Sequence, residues 1–276
     1  MGKKRKNSVL VLALAAVLAT VYCNFSLDLE DWTVSSARLP AAFDGLRVTL
    51  LTDLHGAEYG RDSQRLLDAV ARSHPDLIAI SGDLADEATN LDMLDPLLRG
   101  LGQLAPTYYV TGNHEWVRDD TEALLDQIAA CGVTVLRNEY VVLEREGQSI
   151  VLAGTEDPNG YRDMETPSHF MERIRAEQGE DAYVLMLYHR NNSLALWSAL
   201  GADLVLAGHG HGGVIRLPFV GGLLNVNRSF GAEYESGVYF SDHYRMVVSR
   251  GLGNSISIPR LFNRPEVVTV TLHKEK

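Results

Sequence analysis

The chain has 276 residues, of which 46% are hydrophobic and 22% are charged. This balance excludes disorder as the main state, and the length is typical of one large α/β domain. The net charge of −11 at pH 7 argues against a nucleic-acid-binding surface, which normally needs the opposite sign. The two cysteines, Cys23 and Cys131, form neither a disulfide framework nor a zinc-binding CxxC pair.

The amino-terminal segment combines a basic start with an apolar run. Residues 3–6 are all Lys or Arg, and no charged residue follows before Asp28. As a helix this run would be about 30 Å long, enough for a bilayer core. Residues 1–27 are therefore predicted to be a hydrophobic helix that anchors a single-pass protein in the cell membrane. The basic start predicts that the rest of the chain lies outside the cytoplasm. The alternative is a signal peptide whose cleavage yields a secreted protein.

The rest of the chain shows the alternation of strands and helices that is typical of an α/β fold. Residues 28–44 are predicted to be a partly extended lead-in, and residues 45–276 the main domain. Alternation of this kind implies parallel strands, right-handed crossovers and helices on both faces of a sheet. Because residues 133–153 and 238–272 are rich in predicted strands, the sheet is either mixed or doubled into two layers. Strands are predicted at 46–52, 77–81, 107–111, 183–188 and 204–207, and helices at 63–73, 92–101 and 121–130.

Possible metal ligands follow all five predicted strands. The carboxyl ends of the strands form the binding edge of an open α/β sheet, so these side chains are expected to converge. Glycines beside them, such as Gly82 and Gly208, permit a close approach of the backbone. The candidate ligands are Asp53, His55, Asp83, Asn113, His189, His209 and His211.

This set of side chains offers oxygen and nitrogen donors and no thiolate. Seven candidates are too many for one tetrahedral zinc ion with an open position, so we predict two divalent metal ions. The donor types are compatible with Mn, Fe, Zn or Co and do not choose among them. A carboxylate between the ions, with Asp83 as the candidate, would hold them roughly 3.5–4 Å apart.

Five short blocks resemble, in order, the signature of the calcineurin-like metallophosphoesterases. They read DLH (53–55), GDLAD (82–86), GNHE (112–115), the single His189, and GHGH (208–211). The resemblance covers about residues 46–272, and residues 208–218 and 249–265 are further similar to a membrane-associated bacterial branch that includes phosphodiesterases and lipid pyrophosphatases. It implies a four-layer αββα sandwich of two mixed β-sheets flanked by helices. It also implies one ion on Asp53, His55 and His211, a second on Asn113, His189 and His209, and Asp83 bridging both.

The same resemblance implies how the reaction proceeds. A hydroxide that bridges the ions would attack phosphorus, and His114 would stabilise or protonate the departing oxygen as the catalytic residue. The chain departs from the family pattern at Gly210, where Thr is common, and at Asn191, where Pro is common. These departures concern substrate fit and loop conformation rather than metal binding.

Four further residues or segments have two possible roles each. Asp86 either supports the loop of the bridging carboxylate or is a surface carboxylate, and Glu115 is predicted to be a supporting or capping group rather than a ligand. Arg190 could reach a phosphate oxygen or remain solvated. The turn at residues 157–160 could lie near the site.

The predicted function is a metal-dependent hydrolase of phosphoric ester bonds that cleaves a phosphodiester or a pyrophosphate. A lipid headgroup is a candidate substrate because the predicted helix places the site near a bilayer. The alternatives are a broad-range phosphomonoesterase and a non-catalytic, membrane-tethered scaffold with the same fold. No GxxxxGK or GxGxxG motif follows a predicted strand, which argues against a nucleotide-triphosphate switch and a dinucleotide enzyme.

Overall fold

The computed structural model describes residues 3–161, 164–213, 215–217, 220–224, 233–255 and 258–275. Its main features are two six-stranded sheets, and strands and helices are numbered in chain order. The first sheet has the order β1 (Asp28–Ser36), β14 (Glu266–Lys274), β2 (Arg47–Leu51), β3 (Leu77–Ser81), β4 (Thr107–Val110) and β5 (Thr134–Val135). The second has the order β12 (Gly237–Ser241), β13 (Tyr244–Val248), β9 (Leu204–Gly208), β8 (Val184–Arg190), β7 (Gln148–Gly154) and β6 (Glu139–Arg145).

Both sheets mix parallel and antiparallel pairs. Strands β2 to β5 are parallel to one another, and so are β7, β8, β9 and β13. The antiparallel neighbours are β14 beside β2 in the first sheet, and β6 and β12 at the edges of the second. A separate antiparallel pair is formed by β10 (Ile215–Leu217) and β11 (Gly221–Leu224). The parallel strands of each sheet therefore point their carboxyl ends toward one edge.

Helices cover the outer face of each sheet. The buried residues of α2 (Gln64–Arg72), α3 (Leu94–Leu104) and α4 (Thr121–Ala130) pack on the first sheet, and those of α5 (Pro167–Gln178) and α6 (Leu194–Leu200) pack on the second. A third apolar cluster, which includes Leu50, Leu152 and Leu206, fills the space between the sheets. This arrangement confirms the predicted four-layer αββα sandwich.

The helices follow from local sequence. In α3, Leu94, Leu97, Leu98 and Leu101 are all buried, and this i, i+3, i+4, i+7 spacing gives one apolar stripe. Helix α5 begins where the Thr166 hydroxyl accepts a hydrogen bond from a backbone N–H of the first turn, with Pro following Thr166 at a position that tolerates it. Helices α5 and α6 were not among the predicted elements.

The first part of the predicted lead-in, Asp28–Ser36, is a strand of the first sheet. Strand β1 pairs in parallel with β14 along nine residues, so the two ends of the domain lie side by side. Strand β8 continues past the predicted end to Arg190, so His189 lies within the strand rather than after it.

The chain begins with helix α1 (Lys3–Phe25). Across the part of the chain that the structure describes, none of the helices is both long enough and apolar enough to cross a membrane. The prediction of a membrane-spanning anchor at residues 1–27 is therefore not supported, and residues 1–2 lie outside the described ranges. Cys23, near the end of this helix, is a buried free thiol, as is Cys131.

Candidate metal centre

The carboxyl edges of the two sheets bring all seven predicted ligands together. Asp53 and His55 follow β2, Asp83 follows β3 and Asn113 follows β4, all in the first sheet. The second sheet contributes His189 from β8 and the loop after β9, which carries His209 and His211. The side chains form two groups that could each hold a cation.

The first group is made by Asp53, His55 and His211, all of which are buried at their side chains. The Asp53 Oδ1 atom lies 3.5 Å from His211 Nε2 and 3.9 Å from His55 Nε2. The two Nε2 atoms are 3.1 Å apart. Three donor atoms thus face one small space, as a metal site requires.

The second group is made by Asp83, His189 and His209, with the Asn113 amide beside it. The His189 Nε2 atom lies 3.2 Å from Asp83 Oδ2, 3.2 Å from Asn113 Oδ1 and 3.1 Å from His209 Nδ1. The Nδ1 atom of His189 lies 2.8 Å from the backbone carbonyl of Ser81. Because that carbonyl can only accept, Nδ1 carries a proton, and Nε2 is the atom that faces the group and can bind a cation once its own proton is released.

Asp83 lies between the two groups. Its Oδ2 atom is 3.2 Å from His189 Nε2 in the second group and 3.7 Å from His55 Nε2 in the first. Its Oδ1 atom accepts a hydrogen bond of 2.9 Å from the His114 backbone N–H. One carboxylate oxygen therefore faces both groups, which is the placement that a bridging ligand needs.

The donor set fits two divalent ions. Both carboxylates are buried, with Asp53 at 0% and Asp83 at 1% relative exposure, and a buried carboxylate needs a compensating positive charge. Carboxylate, amide and imidazole donors without thiolate suit Mn, Fe, Zn or Co. Two ions would contribute +4 against the −2 of these carboxylates, and the site would then attract a phosphate group.

The backbone is strained at the candidate ligands. A non-glycine residue with φ near +50° to +70° is uncommon, and each such residue costs about 1–3 kcal/mol. Strain of this kind persists where the surrounding structure imposes it, most often at functional sites. The candidate ligands in this conformation are Asp53 (φ 52°), His55 (φ 49°), Asp83 (φ 51°), His209 (φ 67°) and His211 (φ 48°).

Two glycines make the close approach of the loops possible. A Cβ atom at Gly208 would collide with the side chains of Thr52 and Asp53, and one at Gly112 would collide with the Asp83 carboxylate. A larger residue at Gly208 would keep the two sheets apart at this edge, and a larger residue at Gly112 would displace Asp83 within the first sheet.

Asp86 joins a ligand to the predicted catalytic residue. Its Oδ1 atom lies 2.6 Å from His55 Nδ1 and 2.9 Å from His114 Nδ1. The Arg118 guanidinium donates a hydrogen bond to the Asp86 backbone carbonyl. The Asp86 carboxylate therefore lies in the site and orients both imidazoles, which is neither the loop-supporting role nor the surface position considered from the sequence. His114 keeps 31% of its side chain exposed and can therefore meet a substrate.

Glu115 organises the loop that carries Asp83. Its carboxylate is fully buried and accepts four backbone hydrogen bonds of 2.7–3.1 Å. This geometry agrees with the prediction of a supporting group rather than a ligand. The donors are the N–H groups of Asp83, Leu84, Ala85 and Gly112.

Two residues that contact His211 were missed by the sequence analysis. The buried Arg260 guanidinium lies 3.3 Å from His211 Nδ1, and Asn263 donates a 2.7 Å hydrogen bond to the His211 carbonyl. Both are about 50 positions away in sequence and follow no strand end, so no spacing signal could have indicated them.

The environment separates the pKa values of the imidazoles. Burial lowers the pKa of His209 to about 3, helped by the charges of His189 and Arg190, and burial also lowers the pKa of His211. Burial opposes the charged form of His189, but Asp83 raises its pKa to about 10. Burial opposes ionisation of Asp83, yet His189 and His55 lower its pKa overall. Two imidazoles are thus neutral and ready to ligate, while His189 must release a proton when a cation binds.

The pKa of His114 is raised. The hydrogen bond with Asp86 is the main cause, and partial burial opposes it. A raised pKa favours the protonated imidazole near neutral pH, which is the form that can donate a proton to a departing oxygen.

The fold and the site define a metal-dependent hydrolase of phosphoric ester bonds: two mixed sheets meet at an edge lined by paired carboxylates and imidazoles. Residues 46–213 match the family described as Calcineurin-like phosphoesterase, and this range contains every candidate ligand and His114. The chain belongs to this family. Members use divalent metal ions, and the two Asp and His groups could bind them.

Curated relatives cover most of the chain. The Bacillus subtilis protein "Uncharacterized metallophosphoesterase YkuE" is 29% identical over 89% of this chain and 85% of its own length. The Escherichia coli protein "Phosphodiesterase YaeI" is 29% identical over 82% of each chain. A Danio rerio "Transmembrane protein with metallophosphoesterase domain" is 30% identical over 97% of this chain and 63% of its own length.

Solved structures support the fold. The Thermus thermophilus protein TT1561 superposes with a TM-score of 0.51 at 14% sequence identity, over 75% of this chain and 90% of its own. At this identity the likeness concerns the architecture alone.

Proposed function

We propose that the enzyme cleaves a phosphodiester or a pyrophosphate bond with two divalent ions. Asp53, His55 and His211 would hold one ion, Asn113, His189 and His209 would hold the other, and Asp83 lies where it could serve both. The observation that carries the proposal is the position of Asp83 Oδ2, within 3.7 Å of a donor atom of each group.

When bound, the ions supply an activated water molecule and offset the negative charge of the phosphoryl oxygens. The protein's own residues donate the proton and hold the site in place. His114, protonated and partly exposed, donates its proton to the departing oxygen. Asp86 holds His114 and His55 in fixed orientations through one carboxylate oxygen. Glu115 keeps the backbone of the Asp83 loop in place.

The experiment that tests this function compares two chromogenic substrates. Purified protein is loaded in turn with Mn²⁺, Fe²⁺, Zn²⁺ and Co²⁺, and hydrolysis of bis(p-nitrophenyl) phosphate and p-nitrophenyl phosphate is measured. The proposal predicts metal-dependent turnover with preference for the diester, and loss of turnover in Asp83→Ala. Preference for the monoester would favour a broad-range phosphomonoesterase. Absence of turnover with every metal would contradict the phosphodiesterase and favour either a pyrophosphatase or a non-catalytic scaffold.

We further propose that residues 1–27 hold the domain at a membrane, outside the cytoplasm, and that the substrate is a lipid headgroup. Support comes from the apolar side chains that α1 exposes, among them Leu10 at 70% and Val11 at 65%. The name of the Danio rerio relative, a transmembrane protein, points the same way. Fractionation of cells that express the full chain tests this part. Recovery in the soluble fraction of the cytoplasm would contradict it, and recovery outside the cell would indicate a cleaved segment.

A further inference from the structure

Residues 249–255, the loop after β13, lie directly against the first group of candidate ligands. The Gly253 backbone N–H donates a hydrogen bond to the Asp53 carbonyl. A Cβ atom at Gly251 would lie only 2.7 Å from the Asp53 Cβ atom, so the loop leaves no room for a side chain at this point. The loop therefore forms a wall of the metal centre.

Arg260 fixes this loop from behind. Its Nε atom donates to the Gly253 carbonyl at 3.1 Å, and its Nη2 atom donates to the Gly253 and Arg250 carbonyls at 2.6 and 2.8 Å. Arg260 has 1% relative exposure. Within the described ranges, no carboxylate forms an ion pair with it, and its Nη1 atom has no hydrogen-bond partner. A buried positive charge without such a partner favours an anion on this side of the site.

Ser255 brings a hydroxyl from the same loop to the side of His211 that faces the first group. The Ser255 Oγ atom lies 3.4 Å from His211 Nε2. The same Nε2 atom lies 3.1 Å from His55 Nε2 and 3.5 Å from Asp53 Oδ1, which are the other donor atoms of the group. Ser255 is only partly buried. The hydroxyl therefore lies at the place where the group could hold a cation, and a substrate can reach it.

This hydroxyl needs a different acceptor once the first group is occupied. A serine hydroxyl donates one hydrogen bond, and among the described residues its acceptor here is His211 Nε2. A ligating His211 uses the same Nε2 lone pair to bind the cation, so Ser255 must then donate elsewhere. A phosphoryl oxygen drawn to that cation is an acceptor that the reaction itself brings to this position.

We propose that Ser255 is a further catalytic residue, whose hydroxyl donates a hydrogen bond to a non-bridging oxygen of the phosphoryl group on the side of the first group. This inference rests on the proposed function and adds a substrate contact to it. Because Arg260 fixes the loop, the donor is oriented before the substrate binds, and it stabilises the charge on the phosphoryl oxygens in the transition state. The proton stays on Ser255, and no covalent bond to its oxygen forms.

Ser255→Ala tests this contact. With bis(p-nitrophenyl) phosphate, we expect kcat/KM to fall about 10- to 100-fold, as for the loss of one hydrogen bond to a charged acceptor. Inorganic phosphate is titrated by calorimetry into protein that is loaded with Mn²⁺ and freed of unbound metal, and it should bind to the variant about tenfold or more weakly. Elemental analysis should find the same metal content in both proteins, because no candidate ligand is changed.

Two matched variants separate this role from a structural one. Ser255→Thr keeps the hydroxyl and should retain kcat/KM and phosphate affinity within about threefold. Ser198→Ala removes a hydroxyl on α6 that donates to the Ala195 carbonyl, and it should change neither quantity.

Three results would overturn the inference: unchanged phosphate affinity in Ser255→Ala, loss of a bound ion from that variant, or an equally large loss in Ser255→Thr. Absence of metal-dependent hydrolysis by the wild type would contradict the proposed function instead, and the phosphate titration would still decide the role of Ser255.

Discussion

His55 and His114 share one hydrogen-bond acceptor, the carboxylate of Asp86, although only His55 is a candidate ligand. The shared oxygen fixes the distance between the metal centre and the proton donor. The hydrogen bond to Asp86 also raises the pKa of His114 without placing this imidazole on an ion. The role of His114 as proton donor can therefore be tested by a mutation that changes no candidate metal ligand.

Replacement of His114 by alanine should lower kcat by about 10²- to 10⁴-fold, the usual contribution of a general acid. Metal content, measured by elemental analysis of the same preparation, should stay unchanged because His114 is not a candidate ligand and its backbone N–H, which Asp83 accepts, is kept in alanine. Loss of both metals in His114→Ala would refute the assignment of His114 as proton donor.

Replacement of Glu115 by glutamine should lower the free energy of unfolding by about 2–3 kcal/mol. The buried carboxylate accepts four hydrogen bonds, whereas the amide must turn its N–H₂ group toward some of the same backbone N–H groups. Urea denaturation measures the loss. Glu144→Gln, on the exposed side of β6, is the matched control and should have little effect. A stability equal to that of the wild type would show that the four hydrogen bonds to Glu115 do not stabilise the loop.

At the level of single residues, the sequence predicted that the seven candidate ligands and His114 lie close together. The reason is that strand ends and the family blocks indicate which residues lie at the carboxyl edge of the sheets. The contacts of Asp86 and Arg260 could not be predicted. Both depend on how loops distant in sequence pack against each other, and neither follows from residue spacing.

At the scale of elements, the last turn of α1 is attached to the domain beside the metal centre. Asn24 donates through Nδ2 to the Arg260 carbonyl and accepts at Oδ1 from the Arg260 backbone N–H, both at 2.9 Å. Arg260 in turn contacts His211. The end of α1 thus supports the segment that lies behind a candidate ligand.

Asn24→Ala should therefore lower the free energy of unfolding by about 1–2 kcal/mol, since two partly buried hydrogen bonds are lost. Thermal or urea denaturation of the full chain measures this effect. Asn7→Ala, at an exposed position of the same helix, should change the stability far less. Equal effects of the two substitutions would show that the contact with Arg260 adds nothing.

Helices and strands with a clear local sequence pattern were predicted, and those without such a pattern were not. Strand β3 and helix α4 were predicted with their observed bounds, because short apolar runs and helical spacing are readable within ten residues. Helix α5 was missed, since only Phe170, Met171 and Ile174 are buried in twelve mostly polar residues. The pairing of β1 with β14 joins segments more than 200 residues apart, and no local pattern reveals it.

For the whole molecule, the fold places buried carboxylates and strained backbone at one edge of the sheets, which lowers the free energy of unfolding. Bound cations should offset part of this loss. Metal at about 100 times its Kd should stabilise the folded state by roughly 2.7 kcal/mol, which corresponds to a rise in Tm of about 5–10 °C for a chain of this size. Scanning calorimetry with and without EDTA measures the shift. Asp83→Asn should reduce it, and an equal rise in that variant would place the stabilising metal elsewhere.

We propose that two ions share Asp83 where the edges of the two sheets meet. Anomalous diffraction from crystals grown with Mn²⁺ tests it directly. We expect two peaks roughly 3.5–4 Å apart, one beside Asp53, His55 and His211 and the other beside Asn113, His189 and His209. A single peak, or peaks away from these side chains, would contradict the claim.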